Sequence, residues 1–264
     1  MQTLYEPLTA AFRKNNGFLD YDRFYTLVKK YTQISEDGFT IAQLLQAAGY
    51  PIEEKLDGYC YKPMKTSYKE QEYVVIDIET NGSKPGRSQV IEIGGVKVKN
   101  GEIIDRIETF VACAYLPQNI IELTGITLLD LVDAPSRKEA LIMLKKFMGD
   151  AVFVAHNVGF DYTFLSASFK RFGLGSIGNA RMCTIELAKR TIDSPKYGLV
   201  GLSETLNIDL GNHHRAYSDA IVSMKIMHEC FKHLPEYVKT TDDLIQFSNS
   251  TKKMRKAKGH LHCH

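Results

Sequence analysis

The order of apolar segments after Tyr73 constrains the fold of this chain more than any other feature. Segments with the composition of strands occur at 73–79, 88–98, 102–111, 151–155 and 181–184. Segments with helical spacing occur at 137–148, 160–172, 185–190, 202–206 and 217–231. Asn100-Gly101 joins the second and third strands as a strong hairpin turn. The order β-β-β-α-β-α-β-α predicts an α/β fold, with a mixed sheet flanked by helices.

The N-terminal stretch has a different pattern. Apolar residues recur at helical spacing around 4–12, 24–31 and 40–48. Asp57-Gly58 then forms a turn signal between two short apolar stretches, which indicates a hairpin. Three helices followed by a hairpin predict a small, mainly helical domain of the winged-helix type. An irregular helical cap on the main domain is an equally weighted alternative.

These patterns divide the chain into four parts. We predict an N-terminal domain at 1–65, a polar linker at 66–72, a main domain at 73–235, and a C-terminal helix with a basic tail at 236–264. The tail ends in GHLHCH, whose side chains could capture a transition metal, although a tail without structure is the alternative we favour.

Composition sets the class of protein. The chain has 264 residues, 44% of them hydrophobic, which is enough to bury a core. The net charge of +2 gives no overall basic signature of nucleic-acid binding, although a local groove remains compatible with it. Five scattered cysteines without CxxC spacing favour a reducing compartment. No apolar run is long enough to span a bilayer, so we expect a cytoplasmic protein with no membrane partner.

Three short segments carry the acids that indicate chemistry. In the first, Asp77 and Glu79 follow the apolar run Val74–Ile76 and point to the same side of a strand, because strand side chains alternate. Two neighbouring carboxylates at the end of a buried strand are costly without a partner, and a hard divalent cation supplies one. The alternative is that both acids mark the exposed end of the strand.

The second segment is HNVGFD at 156–161. His156 and Asn157 end a short strand, Gly159 is expected to permit a tight turn, and Asp161 opens the next helix. An acid in a first helical turn also has a simpler explanation in the helix dipole. His156 could equally be a hydrogen-bonded core residue.

The third segment is HHRAYSDA at 213–220. Asp219 is expected on the first turn of the last long helix, and His214 lies five residues earlier, in the lead-in. We expect His213 to point away from the acids, because successive side chains alternate in an extended lead-in. A histidine near several acids can be a metal ligand, a general base or a charged surface group.

The motifs IDIETNG, HNVGFD and HRAYSD together resemble those of the DEDD exonuclease family, whose fold is similar to that of RNase H. The resemblance covers about residues 73–231. One branch of the family has His five residues before the last Asp, and the other has Tyr four residues before it. Here His214 occupies the first position and Arg215 the second, so the chain resembles the His branch (DEDDh, DnaQ-like). The likeness is greatest to the proofreading epsilon-type exonucleases of bacterial DNA polymerase III.

This resemblance implies a metal-dependent 3′→5′ exonuclease with two Mg²⁺ or Mn²⁺ ions. It implies that Asp77 bridges both ions, that Glu79 and Asp219 complete the first site, that Asp161 helps to hold the second, and that His214 is the general base. The catalytic residues would then be His214, Asp77 and Glu79. Residues expected to hold the terminal nucleotide are Thr80, Gly82, Thr124, Gly125, His156, Asn157 and Phe164.

The substrate and partner are open at this stage. The resemblance favours single-stranded or frayed DNA 3′ ends, with a DNA polymerase catalytic subunit as a partner. The same acids would serve an exoribonuclease or oligoribonuclease, because they contact phosphates and metals rather than the sugar. A catalytically inactive binding module is a third alternative, which the complete set of acids disfavours.

Overall fold

The structure, a computed structural model, describes residues 2–32 and 37–250. It begins with a unit of helices and a small antiparallel sheet, in the strand order β1-β3-β2. The elements of this unit are α1 (Gln2–Lys14), β1 (Phe18–Asp20), α2 (Tyr21–Tyr31), α3 (Gly38–Ala47), β2 (Ile52–Lys55) and β3 (Gly58–Tyr61). The three predicted helices and the hairpin at Asp57-Gly58 are confirmed, and their order is that of a winged-helix-like unit. Strand β1 has three residues, too few to show an alternating pattern in the sequence.

The main sheet has five strands in the order β6-β5-β4-β7-β8. They are β4 (Tyr73–Thr80), β5 (Val90–Lys99), β6 (Glu102–Phe110), β7 (Val152–Ala155) and β8 (Arg181–Cys183). Strands β4, β5 and β6 pair antiparallel, whereas β7 pairs parallel with both β4 and β8. The predicted α/β fold with a mixed sheet is therefore confirmed, and β4 lies at its centre.

Helices cover both faces of this sheet. They are α4 (Gln118–Thr124), α5 (Leu128–Leu131), α6 (Arg137–Met148), α7 (Val158–Arg171), α8 (Thr184–Thr191), α9 (Leu199–Leu206), α10 (Ala216–Phe231) and α11 (Thr241–Asn249). Helices α6 and α7 pack on one face, and α8 to α11 pack on the other. None of the helices within the described ranges is long and apolar enough to cross a bilayer.

The alternation along β4 assigns its residues to the two layers. Val74, Ile76 and Ile78 belong to the core that contains α6 and α7. Tyr73 and Val75 belong to the opposite core, which contains α10. Because strand side chains alternate with a period of two, the acids at 77 and 79 face the α10 layer.

The N-terminal unit has a hydrophobic core of its own and touches the main domain through polar contacts. The hydroxyl groups of Tyr5 and Ser176 are 2.6 Å apart. Arg13 donates to both carboxylate oxygens of the buried Asp242 on α11, at 2.7–3.1 Å. A separate core, joined to the main domain by these polar contacts among others, is compatible with the predicted division into domains, which stays a prediction.

Residues 66–72, the predicted linker, make hydrogen bonds and packing contacts with the main domain. Ser67 forms a β-bridge with Thr240, and the backbone N–H of Thr241 donates to the carbonyl of Thr66 at 2.9 Å. The ring of Tyr68 packs edge-on against Phe231 of α10. This stretch therefore behaves as part of the main domain's surface, joined to the segment that leads into α11.

The predicted C-terminal helix is confirmed as α11. The basic tail and GHLHCH lie outside the described residues. Cysteines 60, 113, 183 and 230 are free, in agreement with their scattered positions.

Candidate metal-dependent active site

Asp77 and Glu79 occupy the last part of β4, and both are half-buried. The antiparallel register places Gly94 of β5 beside Asp77 and Glu92 beside Glu79. These four residues share the face that looks toward α10. The predicted placement of the two acids on one side of the strand is therefore confirmed.

Gly94 allows the start of α10 to approach the sheet next to Asp77. A Cβ atom at this position would overlap the backbone of Ala216 and Tyr217. The first turn of α10 thus lies directly against the strand, and its acid, Asp219, is 5% exposed and close to the acids of β4. Asp219 was predicted on this turn, whereas the need for a glycine opposite Asp77 was not.

Gly94→Ala is expected to push the first turn of α10 away from the sheet. Overpacking of this kind costs about 1–3 kcal/mol of stability, and displacement of Asp219 should weaken Mn²⁺ binding by roughly tenfold or more. Calorimetric Mn²⁺ titration and thermal unfolding measure both effects. Gly198→Ala is the matched control, since its Cβ would enter open space at an ordinary φ of −72°. Wild-type Mn²⁺ affinity in Gly94→Ala would show that the close approach is not needed.

An ion pair between the buried Glu92 and the partly exposed Arg215 fixes the start of α10 in place. Arg215 donates from Nε and Nη2 to Oε1 of Glu92 at 3.1 and 2.9 Å. The backbone N–H of Ala216 donates to Oε2 of the same carboxylate at 3.1 Å. The Glu92 side chain is 1% exposed, so its charge needs partners, and these contacts supply them. Sequence reasoning missed this pair, although an acid within the apolar run VIEIGGV was a usable signal.

Asp161 reaches the site from the other helical layer. Strand β7 pairs with β4 only as far as Val75, so the part of β4 beyond this point has no strand neighbour on that side. Asp161 lies on the first turn of α7 and is 3% exposed. The backbone N–H of Ile78 stabilises its charged form, which places the carboxylate beside β4. Its predicted position in a first helical turn is confirmed.

The turn before α7 differs from the prediction. We expected Gly159 to supply the tight turn, but Gly159 lies within the helix, and Asn157 takes the left-handed conformation, with φ 72°. Asparagine tolerates this conformation better than most residues. The prediction for Gly159 was therefore wrong.

The acids perturb one another strongly. Burial, followed by the charges of Asp161, Glu79 and Asp219, raises the pKa of Asp77 well above its ordinary value. Burial and then the charge of Glu92 raise the pKa of Glu79 to about 8. Burial also raises the pKa of Asp161 to about 8, although backbone N–H groups oppose the shift. Ionised acids in this arrangement therefore need a positive charge between them.

The donor atoms fit a divalent cation. Carboxylate oxygens of Asp77, Glu79 and Asp219 all lie within 4.8 Å of one another. A site composed of carboxylates suits hard cations such as Mg²⁺ and Mn²⁺. Asp161 is close enough to act on this group, because its charge raises the pKa of Asp77 more than the charge of any other acid does.

The raised pKa values predict how stability depends on pH. Between the unfolded pKa of about 4 and the folded pKa of about 8, the folded state binds more protons, so metal-free protein should lose stability as pH rises through this window. A divalent cation at a hundredfold its Kd should add about 2.7 kcal/mol, or about 5–10 °C in Tm. Thermal unfolding in chelator and in Mn²⁺, from about pH 5 to about pH 8, measures both. Glu79→Gln should flatten the metal-free slope, and a slope of the opposite sign would contradict the interpretation.

Both histidines of the lead-in face Asp219. His214 has a left-handed backbone, with φ 65°, so the segment turns instead of running extended. The His213 and His214 rings stack with centroids 3.8 Å apart, and His213 Nδ1 lies 3.0 Å from Oδ1 of Asp219. The prediction that His213 points away was therefore wrong, because it assumed an extended lead-in. Burial and then His213 lower the pKa of His214, which favours its neutral form.

The predicted nucleotide-binding residues lie on several different elements of the structure. Thr80 ends β4, and its hydroxyl donates to the carbonyl of Gly82 at 2.9 Å. Thr124 and Gly125 form the end of α4, where Gly125 is left-handed, with φ 70°. Asn157 is exposed at the start of α7. A role for these residues in substrate binding stays a prediction.

His156 and Phe164 have evident packing roles. His156 Nδ1 lies 2.8 Å from Oγ1 of Thr184, and burial lowers its pKa to about 4. Its role in substrate binding stays a prediction. Phe164 is fully buried in the core, so its ring is not available to a nucleobase, and the prediction that it helps to hold the terminal nucleotide was wrong. Helical spacing alone does not distinguish a core ring from a binding ring. The half-buried Phe160 packs on the solvent side of Phe164, with the two ring centroids 5.7 Å apart.

Comparisons with known proteins show which proteins this chain is similar to. A PolC-type DNA polymerase III from Staphylococcus haemolyticus (strain JCSC1435) is 44% identical over 162 residues, which cover 60% of this chain and 11% of the polymerase. The chain thus spans a small part of the curated relatives that it matches. Escherichia coli Exonuclease I in complex with a dT13 oligonucleotide superposes with a TM-score of 0.54 at 18% identity, over 62% of this chain and 41% of that one. Exonuclease X in complex with 5′ overhanging duplex DNA superposes with a TM-score of 0.53 at 22% identity, over 67% of this chain and 99% of that one.

At these identities, the solved structures establish a shared fold and nothing further. The decisive match is a family model described as exonuclease (RNase_T), which covers residues 74–227. This range is more than half of the chain and includes the four acids and His214. The chain therefore belongs to this family of divalent-metal-dependent exonucleases.

Proposed function

We propose that the chain is a 3′→5′ exonuclease that removes nucleotides from single-stranded or frayed DNA 3′ ends. The observation that carries the proposal is the convergence of acids from β4, α7 and α10 beside a histidine whose pKa is lowered. This arrangement provides both the cation ligands and the base that phosphodiester hydrolysis requires.

The proposed cofactor is a pair of Mg²⁺ or Mn²⁺ ions. Asp77 would contact both ions, Glu79 and Asp219 would hold one, and Asp161 would hold the other. When bound, the ions neutralise charge on the phosphate and help both the attacking and the leaving oxygen. Support comes from the all-carboxylate donor set and from pKa values that are raised as long as no positive charge is present.

His214 would act as the general base. Its neutral ring nitrogen would take a proton of the attacking water as the water oxygen bonds to phosphorus, while the bond from phosphorus to the 3′ oxygen of the penultimate nucleotide breaks and that oxygen takes up a proton from solvent. Asp219 contacts the backbone N–H of His214 at 3.2 Å, so the metal site and the base are held by the same turn. The ends of β4, α4 and β7 would enclose the terminal nucleotide, with Thr80, Gly82, Thr124, Gly125 and Asn157 as the proposed contacts.

The comparisons favour DNA as the substrate class. The curated relatives are PolC-type DNA polymerase III enzymes, and the similar structures contain a dT13 oligonucleotide and a 5′ overhanging duplex DNA. We propose proofreading of newly synthesised DNA as the setting, with a DNA polymerase catalytic subunit as the partner. The winged-helix-like unit lies outside the region matched by the family model, and we propose it as a further surface for contact with the DNA or the partner.

The polarity and sugar preference are directly testable. With Mg²⁺, the protein should shorten a 5′-labelled single-stranded DNA one nucleotide at a time from its 3′ end. A circular DNA of the same sequence should be cut at least about a hundredfold more slowly, because an exonuclease needs a terminus. A 3′-phosphate should slow the reaction, and a matched RNA should react at least about tenfold more slowly than DNA. Rapid cutting of the circle would indicate an endonuclease, and preference for RNA would indicate an exoribonuclease.

A further inference from the structure

His213 has no part in the proposed reaction, yet its ring lies against a predicted cation ligand. Its Nδ1 is 3.0 and 3.1 Å from the two carboxylate oxygens of Asp219. The His213 side chain is 29% exposed and that of Asp219 is 7% exposed. The ring is therefore accessible to a small solute, whereas the carboxylate is largely enclosed.

A backbone turn creates this arrangement. His213 and His214 lie in a turn after Gly211, and the left-handed conformation of His214 brings two consecutive side chains to one side. The imidazole rings stack at 3.8 Å, and a nitrogen of each ring and an oxygen of Asp219 lie within 4.8 Å of one another. Two imidazoles and one carboxylate thus converge on a half-exposed point.

We propose that His213, His214 and Asp219 form a binding site for a transition-metal ion of the Zn²⁺ type. Imidazole nitrogen suits Zn²⁺, whereas Mg²⁺ prefers oxygen ligands. Two histidines with one carboxylate is a known zinc ligand set that leaves further coordination positions open. The site differs in chemistry from the carboxylate site formed with Asp77 and Glu79, and the two sites share Asp219.

Occupation by zinc should inhibit the enzyme. An ion held by this trio would take the one free lone pair of the neutral His214 ring, which could then accept no proton, and it would also draw Asp219 away from the carboxylate site. Because two required groups are lost at once, micromolar Zn²⁺ should inhibit the enzyme even in millimolar Mg²⁺. Inhibition rests on the proposed function, whereas zinc binding does not.

The test measures metal binding by the full chain without nucleic acid. Zn²⁺ is titrated calorimetrically in millimolar Mg²⁺, and Co²⁺ absorption serves as a spectroscopic probe of nitrogen coordination. His213→Gln removes the ligand and keeps a similar side-chain size, and should raise the zinc Kd about tenfold or more. His213→Cys restores a zinc ligand and should recover affinity. His233→Ala, an exposed histidine beyond the end of α10, is the matched control.

The C-terminal histidines and cysteine are a competing source of zinc binding. A variant with His260, His262 and His264 replaced by alanine and Cys263 replaced by serine should keep the high-affinity site. Loss of that site in the tail variant, or unchanged zinc affinity in His213→Gln, would overturn the proposal.

A separate assay distinguishes this inference from the proposed function. The zinc concentration that halves each variant's own Mg²⁺-dependent rate should rise about tenfold or more in His213→Gln. An active enzyme that binds no zinc would contradict the zinc site and leave the proposed function unaffected. Zinc binding by a protein without nuclease activity would contradict the proposed function and still support the zinc site.

Discussion

Asp77→Ala is expected to abolish hydrolysis, with a loss of about 10³-fold or more in turnover. Asp77 is one of three acids whose carboxylate oxygens lie within 4.8 Å of one another, and the charges of Asp161, Glu79 and Asp219 all raise its pKa. A cation held by the remaining acids would lose one of its ligands. Because Asp77 is surrounded by like charges, its removal should leave the metal-free fold intact or slightly more stable at neutral pH.

Three measurements define this result. Turnover is measured on labelled single-stranded DNA, Mn²⁺ affinity by calorimetry, and stability by thermal unfolding in chelator. Asp105→Ala is the matched control, since Asp105 is an exposed acid on β6 whose carboxylate accepts a hydrogen bond from the backbone N–H of the adjacent Arg106. Full activity of Asp77→Ala, or undiminished activity of the wild type in chelator, would rule out the metal mechanism.

Local sequence patterns were sufficient to place the acids. Asp77 and Glu79 share a face because the strand period is two, and Asp161 and Asp219 open helices whose apolar spacing is visible in the sequence. Each of these predictions depends on the backbone within a few residues. The order of strands and helices along the chain was sufficient to predict a mixed sheet flanked by helices, because each segment could be recognised from its own apolar spacing.

Contacts between distant segments were not predictable in this way. Glu92 and Arg215 are 123 positions apart, and their pairing depends on how β5 packs under α10. The role of Gly94 becomes visible only once the register places it beside Asp77 and beneath the start of α10. Periodicity reports which side of an element is apolar, but not which neighbour it meets.

The lead-in to α10 shows a different limit of prediction from sequence. A left-handed backbone is usually indicated by glycine or asparagine, and here it occurs at His214. A histidine gives no local signal of this conformation, so an extended lead-in was the reasonable prediction. Neither the position of His213 nor its contact with Asp219 could be inferred from residue spacing.

The structure therefore changes the argument about which histidine is the base, although the expected result is the same. Position relative to Asp219 no longer separates the two, since both rings face that carboxylate. What separates them is that the Asp219 carboxylate accepts from His213 through Nδ1, whereas it contacts His214 through the backbone N–H. The imidazole of His214 thus remains free to serve the attacking water, and burial followed by His213 lowers its pKa toward the neutral form that a base requires.

His214→Ala is accordingly expected to lower turnover by about 10²–10⁴-fold, the usual contribution of a positioned base. Mn²⁺ affinity should largely survive, because the four carboxylates remain. In the wild type, activity should fall as pH decreases through the pKa of His214, since protonation removes the acceptor, and the fall should occur below the ordinary imidazole range. His213→Ala, assayed with zinc removed, should cost less than about tenfold, because Asp219 keeps the backbone contact. Turnover, Mn²⁺ affinity and pH profiles of both variants decide the assignment. A crippled His213→Ala beside an active His214→Ala would move the base by one residue and would also explain why His213 lies against Asp219.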